Sequence, residues 1–130
     1  MNILDENIPE NQRQLLRSWR VPVRQIGYDL GRQGLKDREI IPFLIELRRA
    51  TFFTLDADFY KRNLCHVKYC LVAMDVRKQD AAVFVRRFLR HPGYDTVAKR
   101  MGTVVRVAPS GLTVWGLHAA SEIHLGWTVS

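Results

Sequence analysis

Acidic residues recur at three separated places in the chain, each beside an apolar run. Asp5, followed by Glu6 and Asn7, closes the N-terminal stretch 1–7. Asp37 and Glu39 open a segment with helical apolar spacing, and Asp56 and Asp58 follow the run TFFTL at 51–55. Carboxylates brought together repel and raise one another's pKa unless a cation lies among them. Their hard oxygens select Mg2+ or Mn2+. One or two such ions activate water and stabilise both the attacking and the leaving oxygen of an in-line phosphoryl displacement. Each acid also has a plainer role. Asp5, Glu6 and Asn7 suit a turn that caps the next helix. Asp37 and Glu39 suit the first turn of a helix, and Asp58 suits the cap of another.

The elements that must position these acids alternate strand with helix. Ile3 and Leu4 start an apolar run that reads as a strand buried on both faces. Polar residues crowd its carboxyl end, where open α/β sheets bind ligands. Pro9 opens an amphipathic helix with Leu15, Leu16 and Trp19 on one face and Gln12, Arg13 and Arg17 off it. A second strand covers 23–26. Gly27, Gly31 and Gly34 then punctuate a loop whose spacing is not that of a phosphate-binding fingerprint. A helix begins at Asp37, buries Ile40, Ile41, Phe43, Leu44 and Leu47, and ends on Arg48 and Arg49, favourably for its dipole. Pro42 should cost it a hydrogen bond and bend it.

Residues 51–55 form a central strand, and Phe59, Tyr60 and Leu64 a short helix on the sheet. The run YCLVAM at 69–74 is a further buried strand. The helix 80–90 turns Ala81, Val83, Phe84, Phe88 and Leu89 inward and Arg86, Arg87 and Arg90 outward. His91-Pro92-Gly93 breaks the chain before a short helix within 94–101. Residues 102–108 and 111–115 make a hairpin around Pro109-Ser110-Gly111. The tail, 116–130, has no clear pattern. The expected architecture is one α/β domain over 1–130, with a mostly parallel sheet and a C-terminal hairpin at its edge.

A chain of 130 residues suits a single domain, and its 47% hydrophobic and 25% charged composition is that of a globular protein. No run of 18 apolar residues marks a membrane span, and no basic n-region marks a signal peptide, so the expected location is the cytoplasm. The net charge of +7 favours an anionic partner: nucleic acid, an anionic surface or an acidic protein. Cys65 and Cys70 lack the spacing of a zinc-finger pair and read as free thiols.

The stretches ILDEN, LKDREI and TLDADF, in that order on a strand, a helix start and another strand, resemble the signature of PIN-like domains. More narrowly, they resemble small bacterial PIN-like nucleases related to VapC-type toxins. The match runs from Met1 to about Leu64, and the hairpin TVVRVAPSGLTVW also resembles the end of those domains. Pro42, the tail after Trp115 and an aspartate where PIN nucleases more often carry glutamate as second acid depart from the pattern. The resemblance implies a three-layer α/β/α PIN-like fold and a Mg2+- or Mn2+-dependent endoribonuclease, of the kind that serves as toxin in toxin–antitoxin pairs. It places metal-ligating and catalytic acids at Asp5, Asp37, Asp56 and Asp58. Glu39 is a substitute for Asp37, Glu6 stands beside the site, and Asn7 orients water or a ligand. The implied partners are RNA, an antitoxin protein and a second copy of the chain, with no membrane.

Two other readings remain at this point. The same fold could carry acids that no longer support turnover and act as a binding module for a protein partner. A phosphotransfer protein of receiver type also gathers aspartates at strand ends, but it needs an acid two residues after Asp5, where Asn7 stands.

Overall fold

The computed structural model describes residues 1–128; the last two residues of the tail lie outside the described residues. Its centre is set by two five- and six-residue runs with no polar break in their burial. β3 (Ala50–Thr54) and β4 (Tyr69–Met74) are buried at every position. That is the signature of strands covered on both faces. β1 (Asn2–Leu4) lies beside β3, and the two-residue β2 (Arg24–Gln25) forms the edge beyond it. On the other side of β4 come β5 (Val104–Ala108), β6 (Gly111–Trp115) and β7 (Ile123–Leu125). The order is β2-β1-β3-β4-β5-β6-β7, parallel through β5 and antiparallel thereafter.

Helices cover both faces. α1 (Glu10–Ser18) and α3 (Ala81–Arg90) pack Leu16, Phe84, Val85 and Phe88 against Leu4, Phe53, Val72 and Val105. α2 (Asp37–Leu47) packs Ile40 and Leu44 against Ile3, Phe52 and Leu71 on the opposite face. Fully burying a side chain such as Leu44 contributes about 1.5–3 kcal/mol. The link from β3 to β4 runs over the α2 face in two 3-10 turns, Ala57–Phe59 and Arg62–Leu64. The link from β4 to β5 steps the same way across the sheet but over the α1 face, through α3 and the four-residue α4 (Val97–Arg100). Its hand is therefore opposite to that of the preceding crossovers, a rarity among parallel connections. No helix among the described residues is long and apolar enough to cross a membrane.

Several expectations change in the structure. The hairpin β5–β6 is not at the edge, because the tail supplies β7 and pairs Leu125 with Leu112. Residues 59–64 form 3-10 turns instead of a helix. In α3, Val83 is 38% exposed and Val85 is buried in its place. In α1, Leu15 is exposed and Gln12 is buried, its Oε1 accepting the Ala82 N–H at 2.9 Å. That bond satisfies an orphan donor in the first turn of α3. Arg48 and Arg49 are not in the last turn of α2. Both adopt positive φ (57° and 55°) and make the tight turn into β3, a strained conformation for residues with a Cβ. Pro42 lies on the exposed side of α2, which runs through it unbroken, so the missing hydrogen bond falls towards solvent.

Candidate active site

The path of the chain reverses between β1 and β3. From β1 it leaves over the α1 face and from β3 over the α2 face, and this opens a crevice outside their carboxyl ends. Asp5 is the first residue beyond β1. Its N–H extends the ladder to the Phe53 carbonyl at 2.8 Å, and its side chain is 8% exposed. Oδ1 accepts the Glu6 N–H at 2.7 Å, and Oδ2 accepts the Thr54 hydroxyl at 2.6 Å. Burial pushes the Asp5 pKa up. The two hydrogen bonds oppose that shift, and the charges of Asp37 and Asp56 add to it. The Asp5 carbonyl accepts from Gln25 Nε2 at 3.0 Å, and the same fully buried amide donates to the Ile8 carbonyl at 2.8 Å. The loop after β1 is thus tied down from β2.

Thr54 ends β3 and is fully buried. Besides donating to Asp5, its Oγ1 accepts the Asp56 N–H at 3.0 Å and Asn7 Nδ2 at 3.4 Å. One hydroxyl therefore joins the first acidic segment to the third. Asp56 Oδ1 accepts the Asp58 N–H at 2.9 Å and so caps the 3-10 turn that follows. The cap foreseen for Asp58 falls on Asp56.

Asp37, the first residue of α2, reaches the same place from across the crevice. One carboxylate oxygen each from Asp37, Asp56 and Asp58 lies within 4.8 Å of the others. Desolvation is the first cause of a raised Asp37 pKa, followed by the charges of Asp56 and Asp58, with Lys61 opposing. Beside the cluster a hollow of about 270 Å3 is lined by Asp37, Asp58, Lys61 and Asn63, among others. The donor set fits a small hard cation that keeps part of its water shell: three carboxylates, open on one side.

Asp5, expected as a ligand with them, is not one of the three whose oxygens meet, and the remaining expected site residues also lie outside this cluster. Glu6 turns to the glycine loop, where Oε1 accepts the Gly34 N–H at 2.9 Å. Its Oε2 lies where a Cβ on Gly27 (φ +87°) would approach to 2.9 Å. Glu39 reaches back to the Lys36 N–H at 3.2 Å and pairs with Arg32, so it supports the start of α2. Asn7 Oδ1 accepts the Leu55 N–H at 3.4 Å, which pins the two strand ends together. Thr54, Gln25 and Lys61 were not singled out from the sequence. Thr54 offered one signal: a hydroxyl at the carboxyl end of a strand, two residues before an acid.

No protein-family model, curated protein or solved structure matches the chain. What the fold and site define is a class: a mixed α/β protein with a seven-stranded, mostly parallel sheet and helices on both faces. Its acids converge at the carboxyl ends of the strands beside the point where the strand order turns.

Proposed function

We propose that the chain is a Mg2+- or Mn2+-dependent endoribonuclease of PIN type. It cleaves RNA phosphodiesters in the cytoplasm, as the toxin of a toxin–antitoxin pair. The observation that carries the reading is the meeting of Asp37, Asp56 and Asp58, from two segments of the chain, with the buried Asp5 close enough to feel the charges of Asp37 and Asp56. Three carboxylates so close would repel one another without a cation. A divalent cation held there supplies Lewis acidity and charge neutralisation at a phosphodiester. Asp5, whose charge couples to those of Asp37 and Asp56, completes the acidic site from the end of β1. Thr54 holds that carboxylate in place and fixes the turn that carries Asp56 and Asp58. Lys61 and the net charge of +7 favour an anionic strand over the acids. An acidic antitoxin and a second copy of the chain complete the proposed assembly.

The test is cleavage of single-stranded RNA with Mn2+, comparing the wild-type protein with Asp5→Asn and Asp56→Asn. Both variants should stay folded and lose cleavage by at least about a hundredfold. Cleavage by Asp5→Asn at the wild-type rate refutes the assignment. Calorimetry that finds no Mn2+ binding at millimolar concentration favours the inert binding module instead.

A further inference from the structure

A second cavity lies on the β4 side of the acidic cluster, and the proposed chemistry leaves it without a role. It holds about 430 Å3 at the carboxyl ends of β3, β4 and β5. Leu55, Ala73, Met74 and Val76 make its walls aliphatic, and Tyr60, Asp75 and Arg106 supply its polar groups. Leu55 and Ala57 line it, while Asp56 and Asp58, the residues that alternate with them, contribute to the acidic cluster. A ligand in the cavity and a phosphate at the acids would therefore be neighbours along one short segment of backbone.

The polar groups are already arranged. Ala73 and Arg106 are register partners on adjacent strands, which places the guanidinium over the end of β4. There Arg106 donates Nη2–H to Asp75 Oδ2 at 2.5 Å. The pair is 48% and 62% exposed, and it presents N–H donors and a free carboxylate oxygen side by side. Tyr60 donates to Glu122 of the tail, and burial with that bond raises its pKa to about 12, so the phenol stays neutral. A flat ligand with apolar faces and alternating donors and acceptors along one edge matches this chemistry. A nucleobase has those features, and the volume suits one base with its ribose.

The geometry points to a base-binding subsite: one nucleobase of single-stranded RNA lies against Leu55, Ala73 and Met74, with its edge on the Asp75–Arg106 pair. This rests on the nuclease reading for the identity of the strand, and it adds how the strand is held next to the bond that breaks. An aliphatic wall beside a paired polar edge makes affinity depend on a base being present and not on phosphate alone.

The experiment uses uncharged probes, so that neither cation nor phosphate is required. Each of the four ribonucleosides, with ribose as control, is titrated to millimolar concentration while backbone amide resonances are followed. The nucleosides should shift the amides of Leu55, Ala57, Asp75, Val76 and Arg106, and ribose should not. Ala57→Trp, which fills the cavity from its exposed rim, should abolish the shifts. In a second arm, a labelled single-stranded RNA is bound in Ca2+. Ala57→Trp and Arg106→Gln should each weaken it by about fivefold or more. The subsite is overturned if both variants bind RNA like the wild type, or if the nucleosides shift the wild type and Ala57→Trp alike. A protein that binds nucleosides in this cavity but never cleaves RNA with Mn2+ would refute the nuclease reading and leave the subsite standing.

Discussion

Neutralising Asp37 should stabilise the cation-free protein and destabilise the cation-loaded one, relative to wild type. Two unit charges at the outer limit of 4.8 Å repel by about 0.9 kcal/mol at the dielectric of water, the conservative choice for an exposed group. Asp37 faces two such partners, Asp56 and Asp58, so Asp37→Asn relieves about 1.7 kcal/mol. Against this, Asp37 is the first residue of α2, and its charge gains about 0.3–1 kcal/mol from the helix dipole. Repulsion wins, and the net gain is about 1 kcal/mol, or about 3–5 °C in melting temperature for a chain of this size. The pH dependence follows from the raised pKa. A carboxyl whose folded pKa lies above its unfolded value favours the folded state at low pH. That contribution is lost as pH rises through the folded pKa, above the ordinary 3.8. The advantage of Asp37→Asn should thus be present at neutral pH and vanish in acid. With Mn2+ at about a hundred times its dissociation constant, the wild type gains about 2.7 kcal/mol, which a variant lacking one ligand loses in part. Thermal melts in EDTA and in Mn2+ read both signs. A lower melting temperature for Asp37→Asn in EDTA, or a wild type indifferent to Mn2+, refutes the argument.

Two further outcomes follow from the same network. Thr54→Val keeps the shape of a buried side chain but removes the hydroxyl that serves Asp5, Asp56 and Asn7. It should cost about 1–3 kcal/mol by urea denaturation, with Thr54→Ser largely restoring stability. Because the lost bond had held the Asp5 pKa down, the cost should be larger at neutral pH than in acid. Gln12→Ala leaves the Ala82 N–H without its partner at the start of α3 and should cost about 1–2 kcal/mol. A loss below about 0.5 kcal/mol would show that water replaces the amide.

The elements were legible where side-chain period and burial agree. The runs TFFTL at 51–55 and YCLVAM at 69–74 carry no charged residue, and both are central strands within one residue of the expected bounds. The helix opening at Asp37 was legible from acids followed by apolar spacing. Period alone failed where a polar side chain is needed inside. Gln12 reads as solvent-facing, yet it is buried because the first turn of α3, distant in sequence, brings an N–H that needs an acceptor. The tail failed for a related reason. Ile123–Leu125 is a short, half-exposed strand whose stability comes from pairing with β6, which no local pattern announces.

The acids show the same division between what a sequence encodes locally and what only topology supplies. Their positions at strand and helix ends are local, and Asp37, Asp56 and Asp58 converge because β3 lies next to β1 while α2 crosses over it. The pattern does not separate these three from Glu6 and Glu39, which are equally acidic and as near to the strand or helix ends. What separates them is the partner each finds: a glycine N–H for Glu6, the Lys36 N–H and Arg32 for Glu39, and one another for the three aspartates. An acid that caps or pairs has its charge compensated within the chain. The three that face one another have it only in part: Asp56 caps the 3-10 turn through Oδ1, yet its charge and that of Asp58 raise the Asp37 pKa, with Lys61 opposing. That uncompensated charge, held open to solvent above the Thr54 hydroxyl, is the physical ground for expecting a cation from outside.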